Sequence, residues 1–177
     1  MCIRDRNLLQ YVVPHDNLTK WFIFFWESFQ NLKQSINNEL ARAKIDSIFI
    51  NLNIIVQTTI LHNKKLILGD DHDNKLKFIF EDILNVFQGL NEILPELLIF
   101  LVSMIELEHQ IYQPFIETFI KEYLGRAINQ KTHPKLFQIG ITCMGNLVKI
   151  YRELMDCLLY TSPSPRDLST SRMPSSA

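Results

Sequence analysis

The chain has 177 residues, a formal net charge of −1 and 47% hydrophobic residues, enough for one globular domain or a few units of a repeat array. Its mild acidity gives no electrostatic footprint for nucleic-acid binding, which would need a clustered basic face. The most apolar windows, residues 21–26 and 97–105, are far shorter than the roughly 20 residues of a membrane-spanning helix. The sequence therefore predicts no membrane span.

The two ends of the chain differ in composition from its body. Residues 157–177 are rich in Ser, Pro and Arg, whereas the body is rich in Ile, Leu, Asn and Lys. If residues 1–5 are encoded by ATG TGT ATA AGA GAC followed by A, the reverse complement translates as Cys-Leu-Leu-Tyr-Thr, the sequence of residues 157–161. Such an inverted repeat is typical of a transposase-tagged sequencing library, and the segment up to residue 177 resembles a translated index adapter.

We therefore interpret residues 1–6 as an artefactual leader and residues 157–177 as an artefactual, disordered tail. Residues 7–156 are then a helical-repeat fragment with arbitrary cut points at both ends. In this range Lys and Arg fall from 18 to 14 and Asp and Glu from 19 to 17, so the net charge changes from −1 to −3. Only Cys143 remains. One cysteine forms neither an internal disulfide nor a zinc site, which favours a reducing compartment.

Helical periodicity dominates the first half of this range. It predicts helices over residues 18–34, 38–62 and 75–91, with a loop over residues 68–74, where Gly69 is followed by three aspartates. The residues predicted to face inward are Trp21, Phe24, Phe25, Ser28, Phe29 and Leu32 in the first helix, and Leu40, Ile45, Ile48, Phe49, Leu52, Ile55, Val56 and Thr59 in the second.

Three prolines divide the second half. Pro95, Pro114 and Pro134 each precede an apolar-periodic segment, which is the favoured first-turn position for proline. Their intervals of 19 and 20 residues give two helices per 39 residues, close to the roughly 40–47-residue period of HEAT arrays. The predicted loops, residues 109–113 and 129–133, have the length that joins antiparallel neighbours.

The predicted fold class is therefore all-α, with antiparallel helix pairs stacked as a HEAT-like α-solenoid fragment. A free-standing helical bundle is the alternative.

The sequence offers no pattern typical of a catalytic, cofactor or metal site. Residues 70–74 lack the spacing and the closing Glu of a calcium loop, so they indicate a solvated turn. Glu106 and His109 fall short of H-E-x-x-H and indicate a surface pair. Cys143 lies in an apolar run without an adjacent His, as a core residue does. We therefore expect no enzyme activity, no cofactor and no small-molecule substrate.

Aromatic residues cover nearly every side of the first predicted helix. The simplest interpretation is a core-facing stripe. The functional alternative is an exposed partner-binding patch formed by Trp21, Phe22 and Trp26.

Residues 93–155 carry an ordered set of aromatic and proline motifs. They are Pro95-Glu96-Leu97-Leu98-x-Phe100-Leu101-Val102, Tyr112-x-Pro114-Phe115-x-x-x-Phe119 and Ile141-Thr142-Cys143-Met144-x-x-Leu147-Val148-Lys149-x-Tyr151-Arg152. This order resembles the amino-terminal region of the down-regulated-in-metastasis family. The tryptophans of that family's last helix are absent here, with Ile139 or Gly140 and Ile150 near their places.

The resemblance implies a non-catalytic HEAT-repeat scaffold of the small-subunit processome, associated with small nucleolar RNA. It implies a role in ribosome small-subunit biogenesis and pre-rRNA processing in the nucleolus or nucleus. The expected partners are proteins of a large ribonucleoprotein assembly, with indirect RNA contact and no membrane. One alternative is an importin-like or other HEAT-repeat protein-binding adaptor, which would place the chain in the cytoplasm. Another is a small self-contained helical bundle.

Overall fold

The computed structural model describes residues 17–88, 93–129 and 133–152, so the proposed leader 1–6 and tail 157–177 lie outside the described residues. Every regular element within these ranges is helical, and six helices pack against each other, which confirms the all-α prediction. They are α1 (Leu18–Leu32, followed by a 3-10 turn, Lys33–Ser35), α2 (Glu39–Leu61), α3 (His72–Phe87), α4 (Pro95–Leu107), α5 (109–129) and α6 (Pro134–Ile150).

Local chemistry fixes several helix starts. The side chain of Asn38 caps α2 by accepting hydrogen bonds from the backbone amides of Leu40 and Ala41, at 2.9 and 3.3 Å. Pro95 and Pro134 occupy the first turns of α4 and α6 as predicted. The predicted loop over residues 68–74 is shorter than expected, because α3 begins at His72 and places the backbone amide of Lys75 3.0 Å from the Asp71 carbonyl.

The predicted loop over residues 109–113 is wrong. His109–Tyr112 is a helical turn, and Glu108, with φ −144° and ψ 63°, separates α4 from α5. Pro114 lies in a 3-10 turn within α5, which continues through a π-helical turn, Phe119–Leu124. Tyr112 explains the difference. Its ring is fully buried and its centroid lies 4.6 Å from that of Phe80 in α3, so packing holds this segment in a turn.

The predicted inward face of α1 is also partly wrong. Phe29 is buried as expected, but Trp21 and Phe24 are 44% and 54% exposed, while Phe22 is fully buried. Because aromatic residues occur on nearly every side of α1, periodicity alone does not select a face. The face of α2 is confirmed except at Leu40, which is 67% exposed.

Helices two apart in the chain contact each other. Among the even-numbered helices, α2 packs on α4 and α4 packs on α6; among the odd-numbered ones, α3 packs on α5, and Lys33 beside α1 pairs with Asp82 of α3 at 2.9 Å. The contacts advance in the same direction along both partners. Phe49 meets Phe100 and Gln57 meets Glu106, so α2 and α4 are parallel.

A single buried cluster joins the helices, and Phe49 of α2 lies at its centre. The ring is fully buried, and its centroid lies 5.3 Å from that of Phe29, 5.8 Å from Phe87 and 5.6 Å from Phe100. These rings belong to α1, α3 and α4. One side chain on α2 therefore links four helices.

Replacing Phe49 by Ala should lower the free energy of unfolding by about 3–5 kcal/mol, because it removes a fully buried ring and leaves a cavity. Urea unfolding followed by circular dichroism measures the change. Phe78→Ala is the matched control, since Phe78 is 60% exposed on α3, and its effect should stay within about 0.5 kcal/mol. Equal losses for the two variants would contradict the assignment of Phe49 to the core.

Candidate functional site: a groove on helices α2, α4 and α6

The even-numbered helices together line a groove of about 810 Å³. Its floor includes apolar side chains of α4 and α6, among them Ile99, Val102 and Ile139. Its polar lining consists of Asn53 and Gln57 from α2, Glu96, Ser103 and Glu106 from α4, and Lys135, Gln138, Thr142 and Asn146 from α6. An apolar floor with convergent polar groups is typical of a binding site.

A hydrogen-bonded group crosses the groove between α2 and α4. The Gln57 side-chain amide donates to the Ser103 hydroxyl at 2.8 Å and to a Glu106 carboxylate oxygen at 3.4 Å. The Ser103 hydroxyl in turn donates to the Asn53 side-chain carbonyl at 2.6 Å. Ser103 is only 3% exposed, and its partners offset the cost of burying a hydroxyl among apolar neighbours. This part of the groove is therefore held in a defined geometry.

The other end of the groove is acidic and poorly compensated. Glu96, in the first turn of α4, is 9% exposed, and its carboxylate lies 3.8 Å from the Lys135 ammonium on α6. The Lys135 side chain is 77% exposed, so solvent weakens this ion pair. Asp46 of α2 does not line the groove, but its charge acts on Glu96, and its buried Oδ1 has no hydrogen-bond partner.

Burial is the main influence on both carboxyl groups. It raises the pKa of Glu96, the neighbouring Asp46 charge raises that pKa further, and Lys135 opposes both effects. Burial also raises the pKa of Asp46, again against the attraction of Lys135. Each carboxylate thus loses more from desolvation than it gains from the lysine.

The polar groups that line the groove are amides, hydroxyls, carboxylates and one ammonium. Cys143 lines it, but burial raises the pKa of its thiol to about 12, which disfavours the reactive thiolate. Within residues 17–88, 93–129 and 133–152, no group of three or more His, Cys, Asp or Glu side chains is placed to hold a metal ion. No helix in the same ranges is long and apolar enough to cross a membrane.

The predicted aromatic patch of Trp21, Phe22 and Trp26 is only partly exposed in the structure. Phe22 is fully buried, so it contributes nothing to an exposed surface, and Trp26 is half-buried against the core. The exposed aromatic pair on α1 is instead Trp21 and Phe24, whose rings meet edge to face at 6.0 Å. Phe22 faces inward because α1 contacts both α2 and α3.

Glu106 and His109 do not share a helix face, because the chain breaks at Glu108 between them. Glu106 lines the groove, whereas the backbone carbonyl of His109 accepts a hydrogen bond from the Tyr151 hydroxyl. In the acidic segment, an Asp71 carboxylate oxygen accepts a hydrogen bond from the Asn74 amide at 2.7 Å. These residues therefore make local contacts rather than converging on one point.

Sequence reasoning missed the groove, although a signal was present. Asn53 and Gln57 are four residues apart on α2, and Glu96, Ser103 and Glu106 recur at intervals of seven and three residues along α4. Those intervals place each set on one helix face. The polar residues of α4 are informative because the rest of that helix is apolar and burying polar groups costs free energy unless they are paired.

Comparison of the chain with protein-family models, with curated proteins and with solved structures found no match.

Glu96→Gln should raise the free energy of unfolding at pH 7, because glutamine keeps the shape of the side chain without the desolvated charge. The raised pKa means that the folded wild type takes up a proton before the unfolded chain does. Wild-type stability relative to the variant should therefore increase as the pH falls from 7 towards 4.5, the ordinary value for this group.

Urea unfolding of both proteins at several pH values measures this difference. Glu81→Gln, at an exposed position on α3 outside the groove, is the charge-matched control and should show no such trend. A Glu96→Gln variant that is less stable than wild type at pH 7 would show that Lys135 outweighs burial.

Proposed function

We propose that the chain is a fragment of a non-catalytic α-solenoid scaffold of the HEAT type. The observation that carries this proposal is that helices two apart in the chain pack parallel to each other. α2 runs parallel to α4, and α3 runs parallel to α5, because Phe80 meets Tyr112 while Leu84, one turn later, accepts a hydrogen bond from the Tyr123 hydroxyl. Helix pairs stacked by translation along one axis produce this parallel order between successive units.

Exposed apolar residues on the last described helix support the same proposal. Phe137, Ile141 and Val148 of α6 are 40%, 49% and 39% exposed, and intervals of four and seven residues place them on one face. An added Cβ at Gly145 of the same helix would meet no atom within 4 Å. In a solenoid such a face is covered by the next helix pair, because each pair buries its apolar surface against its neighbours.

The cellular role we propose is assembly of the small ribosomal subunit in the nucleolus or nucleus, as part of the processome that supports pre-rRNA processing. Its support is the resemblance of residues 93–155 to the down-regulated-in-metastasis family, in motifs that lie on α4, on α5, and on α6 with the two residues that follow it. The scaffold would act by holding rigid helix pairs that present an extended surface to proteins of a large ribonucleoprotein assembly. RNA contact would be indirect, since the charge balance gives no basic face.

Affinity capture tests this role. The protein, tagged in cells of its own source and captured under native conditions, should enrich small nucleolar RNA and small-subunit rRNA precursors together with ribosome-assembly proteins. An unrelated tagged nuclear protein of similar size and charge is the control. Recovery of cytoplasmic protein partners without these RNAs would contradict the processome assignment and favour a HEAT-repeat adaptor; recovery of no stable partner would favour a self-contained helical bundle.

The exposed face of α6 yields a separate prediction. Because Phe137 and Ile141 are 40% and 49% exposed, the isolated chain should self-associate at micromolar concentration, and Phe137→Lys with Ile141→Lys should shift it towards the monomer. Analytical ultracentrifugation measures the shift. Phe78→Lys, at a residue 60% exposed on α3, is the matched control and should leave association unchanged. A wild-type chain that remains monomeric would contradict the proposal that this face of α6 packs against another helix pair.

A further inference from the structure

The groove carries more negative than positive charge, because one lysine stands against two lining carboxylates. Glu96, Glu106 and Lys135 line the groove, and Asp46 adds a carboxylate whose charge acts on Glu96. The ion pair of Glu96 with Lys135 spans 3.8 Å, close to the limit for such a contact. A cation bound at Glu96 would compensate both desolvated carboxylates at once.

We propose that this groove binds an extended polypeptide segment with two basic side chains, one at Glu96 and one at Glu106. The proposal rests on the proposed scaffold function. It names the kind of partner that would bind the surface formed by α2, α4 and α6. It differs from the aromatic-patch hypothesis in both location and chemistry.

The spacing of the basic side chains follows from helix geometry. Glu96 and Glu106 are ten residues apart on α4, which corresponds to about 15 Å at 1.5 Å per residue. An extended peptide advances about 3.3 Å per residue, so side chains at positions i and i+4 are about 13 Å apart and point to the same side. The groove therefore fits the pattern Lys/Arg-x-x-x-Lys/Arg.

The groove also provides partners for the main chain of such a segment. Gln138 and Asn146 on α6 line it with side-chain amides that both donate and accept hydrogen bonds. The bonds among Asn53, Gln57 and Ser103 fix the opposite wall before any ligand arrives. A preorganised wall lowers the entropic cost of binding a flexible peptide.

Fluorescence anisotropy with labelled peptides tests the proposal on the full chain. The probe is Ser-Lys-Ser-Gly-Ser-Lys-Ser, and the matched peptide Ser-Lys-Lys-Ser-Gly-Ser-Ser has the same composition with adjacent lysines. At an ionic strength of about 50 mM, where exposed charges are weakly screened, the spaced peptide should bind more tightly than the adjacent one. A fluorescent single-stranded RNA serves as the competing class of ligand.

Two charge changes locate the site. Glu96→Gln should weaken binding of the spaced peptide on the order of tenfold, the scale of one close charge pair. Lys135→Ala should strengthen it, because the competing ammonium is gone. The controls change the same charges elsewhere: Glu117→Gln and Lys121→Ala remove the two partners of an exposed ion pair on α5, and each should alter the affinity by less than about twofold.

Equal binding of the two peptides, or equal effects of Glu96→Gln and Glu117→Gln, would overturn the proposal, as would preferential binding of the RNA. Circular dichroism and urea unfolding establish that each variant is folded. If the folded wild type binds no peptide, the groove does not bind a basic segment, and the scaffold proposal is unaffected. Failure of the ribonucleoprotein capture with peptide binding intact removes only the processome assignment.

Discussion

Burial of the Phe49 ring is the constraint on which the rest of the structure depends. Its centroid lies within 5.8 Å of Phe29, Phe87 and Phe100, so one side chain of α2 contacts α1, α3 and α4. Close-packed aromatic rings allow little sliding, because a shifted ring meets either a void or an overlap. Once Phe49 is seated against Phe100, the register of α2 on α4 is fixed. The same register brings Asn53 and Gln57 opposite Ser103, so the core determines the polar wall of the groove.

The groove combines satisfied and unsatisfied polar groups, and this contrast is its most informative property. Ser103 is buried and fully hydrogen-bonded, as expected for a polar group with a structural role. Glu96 is buried beside a weak partner, and a buried oxygen of Asp46 has no hydrogen-bond partner. Such groups cost stability, and proteins commonly accept that cost where binding requires it.

Helices α2, α4 and α6 lie side by side, since α2 packs on α4 and α4 packs on α6. In a scaffold of stacked helix pairs, equivalent helices lie side by side and present a continuous face, and here α2, α4 and α6 jointly line one groove. Burial raises the pKa of the Cys143 thiol in this groove to about 12, which disfavours its reactive thiolate.

The sequence by itself determined the helical class and several helix boundaries, because these depend on local chemistry. Asn38 caps its own helix, Pro95 and Pro134 fit a first turn, and the regular spacing of Ile45, Phe49 and Leu52 identifies the buried side of α2. Tertiary packing decided what local patterns leave open. The turn at Tyr112 forms because Phe80 covers its ring, and Phe22 rather than Trp21 faces inward because α1 has two neighbours. The groove belongs to the second group, since Gln57 and Ser103 are distant in the sequence and meet only after α2 and α4 pack in register.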